Sequence, residues 1–245
     1  PRLKGLTMEQ AALEVNHWCH EKVSYRPSDG RTSAPLATMR NSSGRCGEES
    51  TFTVSALRAV GIPARQVYCP RWAHTDDNHA WVEVWVDGKW RFMGACEPEA
   101  TLDKGWFNWA ASRAMLIRGY DYEGHEIATT ATYAPTKTLR VRVVDAQGAP
   151  IANATVDFRL YNYSEFYPLS TVTTDAEGRA AFTTGYGDLQ VWVSAKGKYG
   201  VKKADGYTTE LTITPCYQPG SAWVEEYDWH VPTTVLEEPD RSIVD

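Results

Sequence analysis

Apolar residues recur at three- and four-residue intervals near the start of the chain. Met8, Ala11, Ala12, Val15 and Cys19 fall on one face, the spacing of an amphipathic helix. Thr7 and Gln10 just ahead match a capping box, in which each side chain satisfies an orphan backbone donor of the first turn. Residues 27–44 are rich in Pro, Ser, Gly and Thr and predict a loop. A second helix is predicted to start at Arg45 or Cys46 and run to Val60, with Gly61 as its stop and Pro63 beyond it. Its apolar stripe would be Phe52, Ala56, Ala59 and Val60. Arg65–Cys69 and His79–Val86 read as strands, separated by a polar loop from Pro70 to Asn78. Asp87-Gly88 tolerates the positive φ of a type I′ turn, so Lys89–Met93 is the returning strand. A helix rich in Trp, Ala and Met is predicted over Trp106–Leu116.

From Thr138 to Thr214 the period changes to two: Leu139, Val141 and Val143, then Leu189, Val191 and Val193, alternate with other residues. Turn clusters at Asp145–Pro150, Asp175–Gly178, Gly185–Asp188 and Gly197–Gly200 separate the strands. Strands spaced about 8–12 residues apart in this way predict a β-sandwich. The chain therefore divides into an α+β domain with a short antiparallel sheet over 1–134, an all-β sandwich over 137–215, and an acidic, aromatic-containing tail over 216–245. The sandwich holds no catalytic cluster and reads as a spacer or accessory module. The tail has no regular period. Its Trp223, Tyr227 and Trp229 are expected to pack on a neighbouring segment or on chain beyond Asp245.

Composition narrows the class. Apolar residues make up 42% and charged residues 23%, a globular balance that excludes a wholly disordered or collagen-like chain. No apolar run approaches the length of a membrane span, so no transmembrane segment is expected. The net charge of −6 sits in the tail: Glu225–Asp245 holds seven acids and one base, leaving 24 of each before it. A balanced body without Lys/Arg blocks argues against a nucleic-acid partner, which needs a concentrated basic face. Cysteines stand at 19, 46, 69, 96 and 216 with no CxxC spacing, which disfavours zinc ribbons and thioredoxin-type chemistry. An odd number leaves at least one free thiol. Cys19 falls on the apolar helix face and reads as a buried hydrophobe.

Two residues carry candidate chemistry. Cys46, in Gly44-Arg45-Cys46-Gly47, opens a predicted helix, where unpaired N–H groups, the positive dipole end and Arg45 all favour a thiolate. Locally, a structural cysteine is an equal alternative. His79 opens a predicted strand, and a thiol nucleophile needs an imidazole partner near it in space rather than in sequence. The loop His74-Thr75-Asp76-Asp77-Asn78-His79 invites a metal reading, but there is no HExxH helix and adjacent exposed Asp residues are ordinarily solvated; no metal and no cofactor is expected.

Gly44-Arg45-Cys46-Gly47, Gly61-Ile62-Pro63-Ala64-Arg65, His79-Ala80-Trp81-Val82-Glu83-Val84 and Gly88-Lys89-Trp90, in this order, resemble the transglutaminase-like core over residues 7 to 118. The resemblance implies a papain-like fold with Cys46 as nucleophile and His79 as general base. The family places an Asp four residues after the Trp of the hairpin strand, and here that position is Gly94. Gly94-Ala95-Cys96-Glu97-Pro98 is similar to the Asp-Pro-Cys-Glu stretch of peptide N-glycanases with the Asp lost, so Glu97 is the expected substitute and Asp76 or Asp77 the alternatives. Val144–Val156 and Thr174–Gly178 resemble carboxypeptidase-regulatory-like, prealbumin-like domains, which implies a secreted, periplasmic or cell-surface bacterial setting.

Two functions follow as expectations. One is a cysteine hydrolase or acyltransferase acting on a peptide, protein or glycoprotein, with Trp72, His74 and Trp81 binding substrate. The other is an inactive module holding carbohydrate or peptide in a cleft lined by Trp72, Trp81 and Trp109. The retained Cys46 and His79 favour the enzyme.

Overall fold

The computed structural model describes residues 1–27, 32–220 and 228–232. The capping box forms as the sequence predicts, with Gln10 N donating to Thr7 Oγ1 and Thr7 N donating to Gln10 Oε1. Helix α1 (Met8–Lys22) follows and buries Ala12, Val15, Asn16 and Cys19. The segment expected as loop contains more structure. Strand β1 (Ser24–Tyr25) pairs in parallel with β2 (Ser43–Gly44), and α2 (Pro35–Asn41) lies between them. Pro35 opens α2 in the first turn, where its missing N–H costs nothing.

Helix α3 (Cys46–Ala59) starts after Arg45, and Gly61 at φ 86° lets the chain turn away beyond its end. Its buried face differs from the expected stripe. Glu49, Ser50, Phe52, Thr53, Val54 and Leu57 are buried, whereas Ala59 and Val60 are exposed. The face that meets α1 and the sheet carries polar groups near its start, which apolar periodicity passes over.

The sheet behind α3 contains β3 (Ala64–Cys69), β4 (His79–Val86) and β5 (Lys89–Met93), joined by β6 (Arg118–Tyr120) and β7 (Glu126–Ala128) in the order β5-β4-β3-β6-β7. All neighbours are antiparallel. Asp87 and Gly88 both take positive φ, 50° and 83°, at the β4–β5 turn. Strands β6 and β7 have three residues each, too short for alternation to be legible. Buried under β4 is a charged network. Arg65 pairs with Glu83 at 2.6 Å, Tyr133 Oη donates to Glu83 Oε1 at 2.7 Å, and Trp81 Nε1 donates to Tyr133 Oη at 3.0 Å.

The helix expected over Trp106–Leu116 shrinks to one turn, α4 (Asn108–Ala111). Ala114–Ile117 then runs as buried chain, with Met115 and Leu116 packed into the sandwich core and Ala114 and Ile117 packed beneath Trp81. Burial on all sides, rather than on one stripe, replaces the helix. After α5 (Thr130–Tyr133) come β8 (Lys137–Val143), β9 (Thr155–Asn162), β10 (Glu165–Thr173), β11 (Arg179–Thr184), β12 (Leu189–Ala195), β13 (Lys198–Ala204) and β14 (Glu210–Ile213). They form two sheets, β10-β9-β12-β13 and β11-β8-β14.

Leu139, Val141, Val143, Leu189, Val191 and Val193 point into the sandwich core as the period-two pattern predicts. Ala73, Met115 and Leu116 from the first half share that core. Trp229 packs on it too, with its ring 5.6 Å from Phe166, the neighbouring-segment alternative of the expectation. Trp223 and Tyr227 lie outside the described residues. The architecture is α+β plus a β-sandwich, and no helix among the described residues is long and apolar enough to cross a membrane.

Candidate active site

Cys46 is the first residue of α3 and partly buried. Glu48 reaches back to accept from Arg45 N at 3.1 Å, fixing the helix start. Gly44 is required there: a Cβ on it would lie 2.5 Å from the Cβ of Glu48. The thiol pKa moves opposite to the sequence expectation. Burial pushes it up, outweighing the Ala80 N–H and the Arg45 charge, which pull it down.

His79 begins β4, so strand pairing with Cys69 fixes its backbone. Its ring lies 4.6 Å from Trp106, 4.9 Å from Phe107 and 5.7 Å from Trp81. This apolar cage pushes its pKa down to about 3 and leaves Nε2 buried without a hydrogen-bond partner. At neutral pH the resting groups are therefore a thiol and a neutral imidazole.

Glu97 occupies the space of the missing side chain at position 94. A Cβ built on Gly94 would lie 2.3 Å from Glu97 Oε2 and 2.9 Å from Glu97 Cβ. Glu97 Oε1 accepts from Trp106 Nε1 at 3.0 Å, while Oε2 is buried and unpartnered. Burial raises its pKa above the usual carboxylate value, with the Trp106 bond opposing. Cys46, His79 and Glu97 line one cavity of about 330 Å³, together with Tyr25, Pro27, Arg45, Asp77, Asn78 and Trp106.

The turn that presents Glu97 is held from α1. Asn16 Nδ2 donates to Gly94 O at 2.8 Å and to Glu97 O at 3.2 Å, and Asn16 Oδ1 accepts from Cys96 N at 2.8 Å. These bonds support the positive φ of 57° at Cys96. Asn16 went unnoticed in the sequence, although a polar residue beside an apolar helix stripe is a legible signal. Glu49, one turn along α3 from Cys46, is also buried. Its pKa is pushed up to about 8, first by burial and then by the charges of Glu97 and Glu48.

The expected substrate contacts need correcting. Trp72 and Trp81 are 2% and 0% exposed, stacked on each other with ring centroids 6.4 Å apart, and form core beneath His79. No ligand can reach their faces. His74 packs edge-on to Trp109 at 5.2 Å and is not among the cavity-lining residues. Trp106, half-exposed, is the tryptophan that lines the cavity, and the sequence did not single it out. In the 74–79 loop, Asp76 Oδ1 accepts from Tyr163 N, and Asp77 Oδ1 accepts from Asn78 N. Asp77 lines the cavity with His79, whereas Asp76 is not among its lining residues. All five cysteines are free thiols.

Residues 2–95 match the family model of the transglutaminase-like superfamily. An uncharacterised Mycobacterium leprae protein is 26% identical over 104 residues, which cover 38% of this chain and 37% of that protein. The match thus spans about a third of that relative. Red sea bream transglutaminase is similar over 86% of this chain and 54% of its own, with 11% identity and a TM-score of 0.38. A transglutaminase described simply as a TGase is similar over 42% of this chain and 30% of its own, with 19% identity and a TM-score of 0.34. The matched segment, residues 2–95, contains Cys46 and His79, at the start of a helix and of the strand behind it, and is similar to the transglutaminase-like superfamily core.

Proposed function

We propose that the protein is a cysteine enzyme of acyl transfer on amide bonds, acting hydrolytically on a peptide or glycopeptide. The observation that carries this reading is the shared cavity of Cys46, His79 and Glu97, with Glu97 filling the space above Gly94. As Cys46 Sγ attacks the carbonyl carbon, its proton passes to the neutral imidazole of His79. The C–N bond then breaks, the leaving amine takes that proton, and a thioester remains on Cys46. Water, deprotonated by His79, attacks the thioester and releases the carboxylic acid and the thiol. Glu97, with Oε2 unpartnered in the same cavity, is the carboxyl placed to meet the ring as it protonates and to favour the transient imidazolium, the role a third carboxylate has in such sites. Backbone N–H groups at the start of α3 supply donors for the oxyanion, each worth roughly 3–4 kcal/mol in the transition state.

The binding-module alternative loses its Trp-lined cleft, since Trp72 and Trp81 are core. An extracytoplasmic setting belongs to the same proposal and rests on the sandwich's resemblance to prealbumin-like domains. The test is acylation by an activated ester, read by peptide mass spectrometry with and without a primary-amine acceptor. A thioester on Cys46, absent in His79→Ala and turned over to free acid in preference to amide, is expected. Acylation indifferent to His79 contradicts the mechanism, and a dominant amide product replaces hydrolysis by transamidation.

A further inference from the structure

The loop that delivers His79 is held by the sandwich. Asn162, the last residue of β9, is 3% exposed and donates from Nδ2 to two carbonyls of the other half, Trp72 O at 2.8 Å and Thr75 O at 2.7 Å. Tyr163 N, next in the chain, donates to Asp76 Oδ1 at 2.7 Å. Arg71 meets Glu165 at 3.6 Å, and its guanidinium lies 5.1 Å and 4.5 Å from the rings of Tyr163 and Tyr167. Tyr163 and Ser164 both take positive φ, 51° and 57°, so the β9–β10 turn is a tight one that projects these groups at the loop.

The loop is also closed on itself, Trp72 N donating to Asp77 O and Asp77 N to Thr75 O, both at 2.9 Å. Its two ends therefore do different things. Trp72, Ala73, Thr75 and Asp76 face the sandwich or its hairpin, while Asp77, Asn78 and His79 line the cavity. The His79 ring has no hydrogen-bond partner at Nε2, so its placement depends on the backbone that carries it and on the rings around it.

We propose that the sandwich is a working part of the active site, and that Asn162 is a positioning residue which, through its two carbonyl bonds, sets loop 70–78 so that His79 stands beside Cys46. This rests on the proposal that His79 is the base for Cys46. A spacer joined by a covalent linker has no need to bury an amide against two carbonyls of the loop preceding the base. Misplacing a reacting group by about 1 Å can cost roughly 10²-fold in rate, so a modest displacement of the loop is measurable.

The experiment is the rate of Cys46 alkylation by iodoacetamide across pH, read site by site by mass spectrometry, with thermal unfolding in parallel. The proteins are wild type, His79→Ala, Asn162→Ala, Asp76→Ala and Val193→Ala. Asp76 is exposed, so its variant keeps the fold while losing the Tyr163 bond. Val193→Ala opens the sandwich core on β12, where its strand partners are Gly200 and Val156 and not loop residues. Wild type is expected to hold a His79-dependent rate at neutral pH. Asn162→Ala should lower that rate about tenfold or more and Asp76→Ala by a smaller factor, both leaving the alkaline limb unchanged. Val193→Ala should lower the melting temperature and leave the profile as it is. If Asn162→Ala and Asp76→Ala retain the wild-type profile, or if Val193→Ala changes it equally, the positioning role is overturned while the Cys46–His79 pair stands. If wild type itself shows no His79-dependent rate, the pair falls and the inference with it.

Discussion

Replacing Glu49 with Gln keeps the shape of the side chain and removes its proton linkage. In the folded protein the Glu49 carboxyl is pushed up to about 8, chiefly by burial, against about 4.3 in an unfolded chain. Between those values the folded state holds a proton that the unfolded state releases. Stability attributable to this group therefore falls as pH rises, by about 1.4 kcal/mol per pH unit. Between pH 5 and pH 7 the wild type should lose about 3 kcal/mol relative to Glu49→Gln. His79 acts in the opposite sense. Its folded pKa of about 3 lies below the unfolded value near 6.5, so its contribution is lost as pH falls through that window. The two slopes offset one another in the wild type between roughly pH 4.5 and 6.5, and only the difference between the two proteins isolates Glu49. Urea unfolding followed by tryptophan fluorescence at pH 5, 6, 7 and 8 makes the comparison. A difference that does not change with pH, or a Gln variant that loses ground as pH rises, would falsify the claim that Glu49 is neutral beside Glu97.

Two further variants probe the site and its support. Glu97→Gly should slow acylation of Cys46 by about 10²-fold or more, and adding Gly94→Asp, whose Cβ would otherwise lie 2.9 Å from the Cβ of residue 97, should recover part of it by returning a carboxylate to the space Glu97 fills; no recovery in a folded double variant argues that position 94 does not address His79. Glu83→Gln leaves Arg65, 15% exposed, without its charge partner and should cost up to about 3 kcal/mol in urea unfolding, so a loss under 1 kcal/mol would show that water or Tyr133 compensates.

Much of the fold was legible because short-range physics specifies it. The Thr7–Gln10 box, the Asp87-Gly88 turn and the bounds of β4 and β5 follow from side-chain capping, positive φ and strand pairing between sequence neighbours. What the sequence hid depends on distant partners. The Trp106–Leu116 run has helical composition, yet its residues are claimed by two cores at once, and the helix stops after one turn. Trp72 and Trp81 have the same local signature as cleft residues, and only the stacking between them shows that they are core.

The direction of the Cys46 shift was misjudged for a related reason. A helix start and a neighbouring Arg are visible in sequence, but the burial that outweighs them is set by α3 packing against β4. Glu97, by contrast, is expected from the likeness of Cys96-Glu97 to a related stretch, and its Oε2 lies 2.3 Å from where a Cβ on Gly94 would stand.

The pH profile of Cys46 alkylation in wild type and His79→Ala tests the central claim most directly. A thiol that shares its proton with a buried neutral imidazole should react at a rate that is level across neutral pH. The rate should fall only in acid, as His79 protonates towards about 3, and climb again only above the ordinary thiol range, where burial has moved free ionisation of Cys46. His79→Ala should abolish the level region and leave the alkaline climb. A wild-type profile that coincides with His79→Ala, or with that of the exposed thiol of Cys216, would contradict the account.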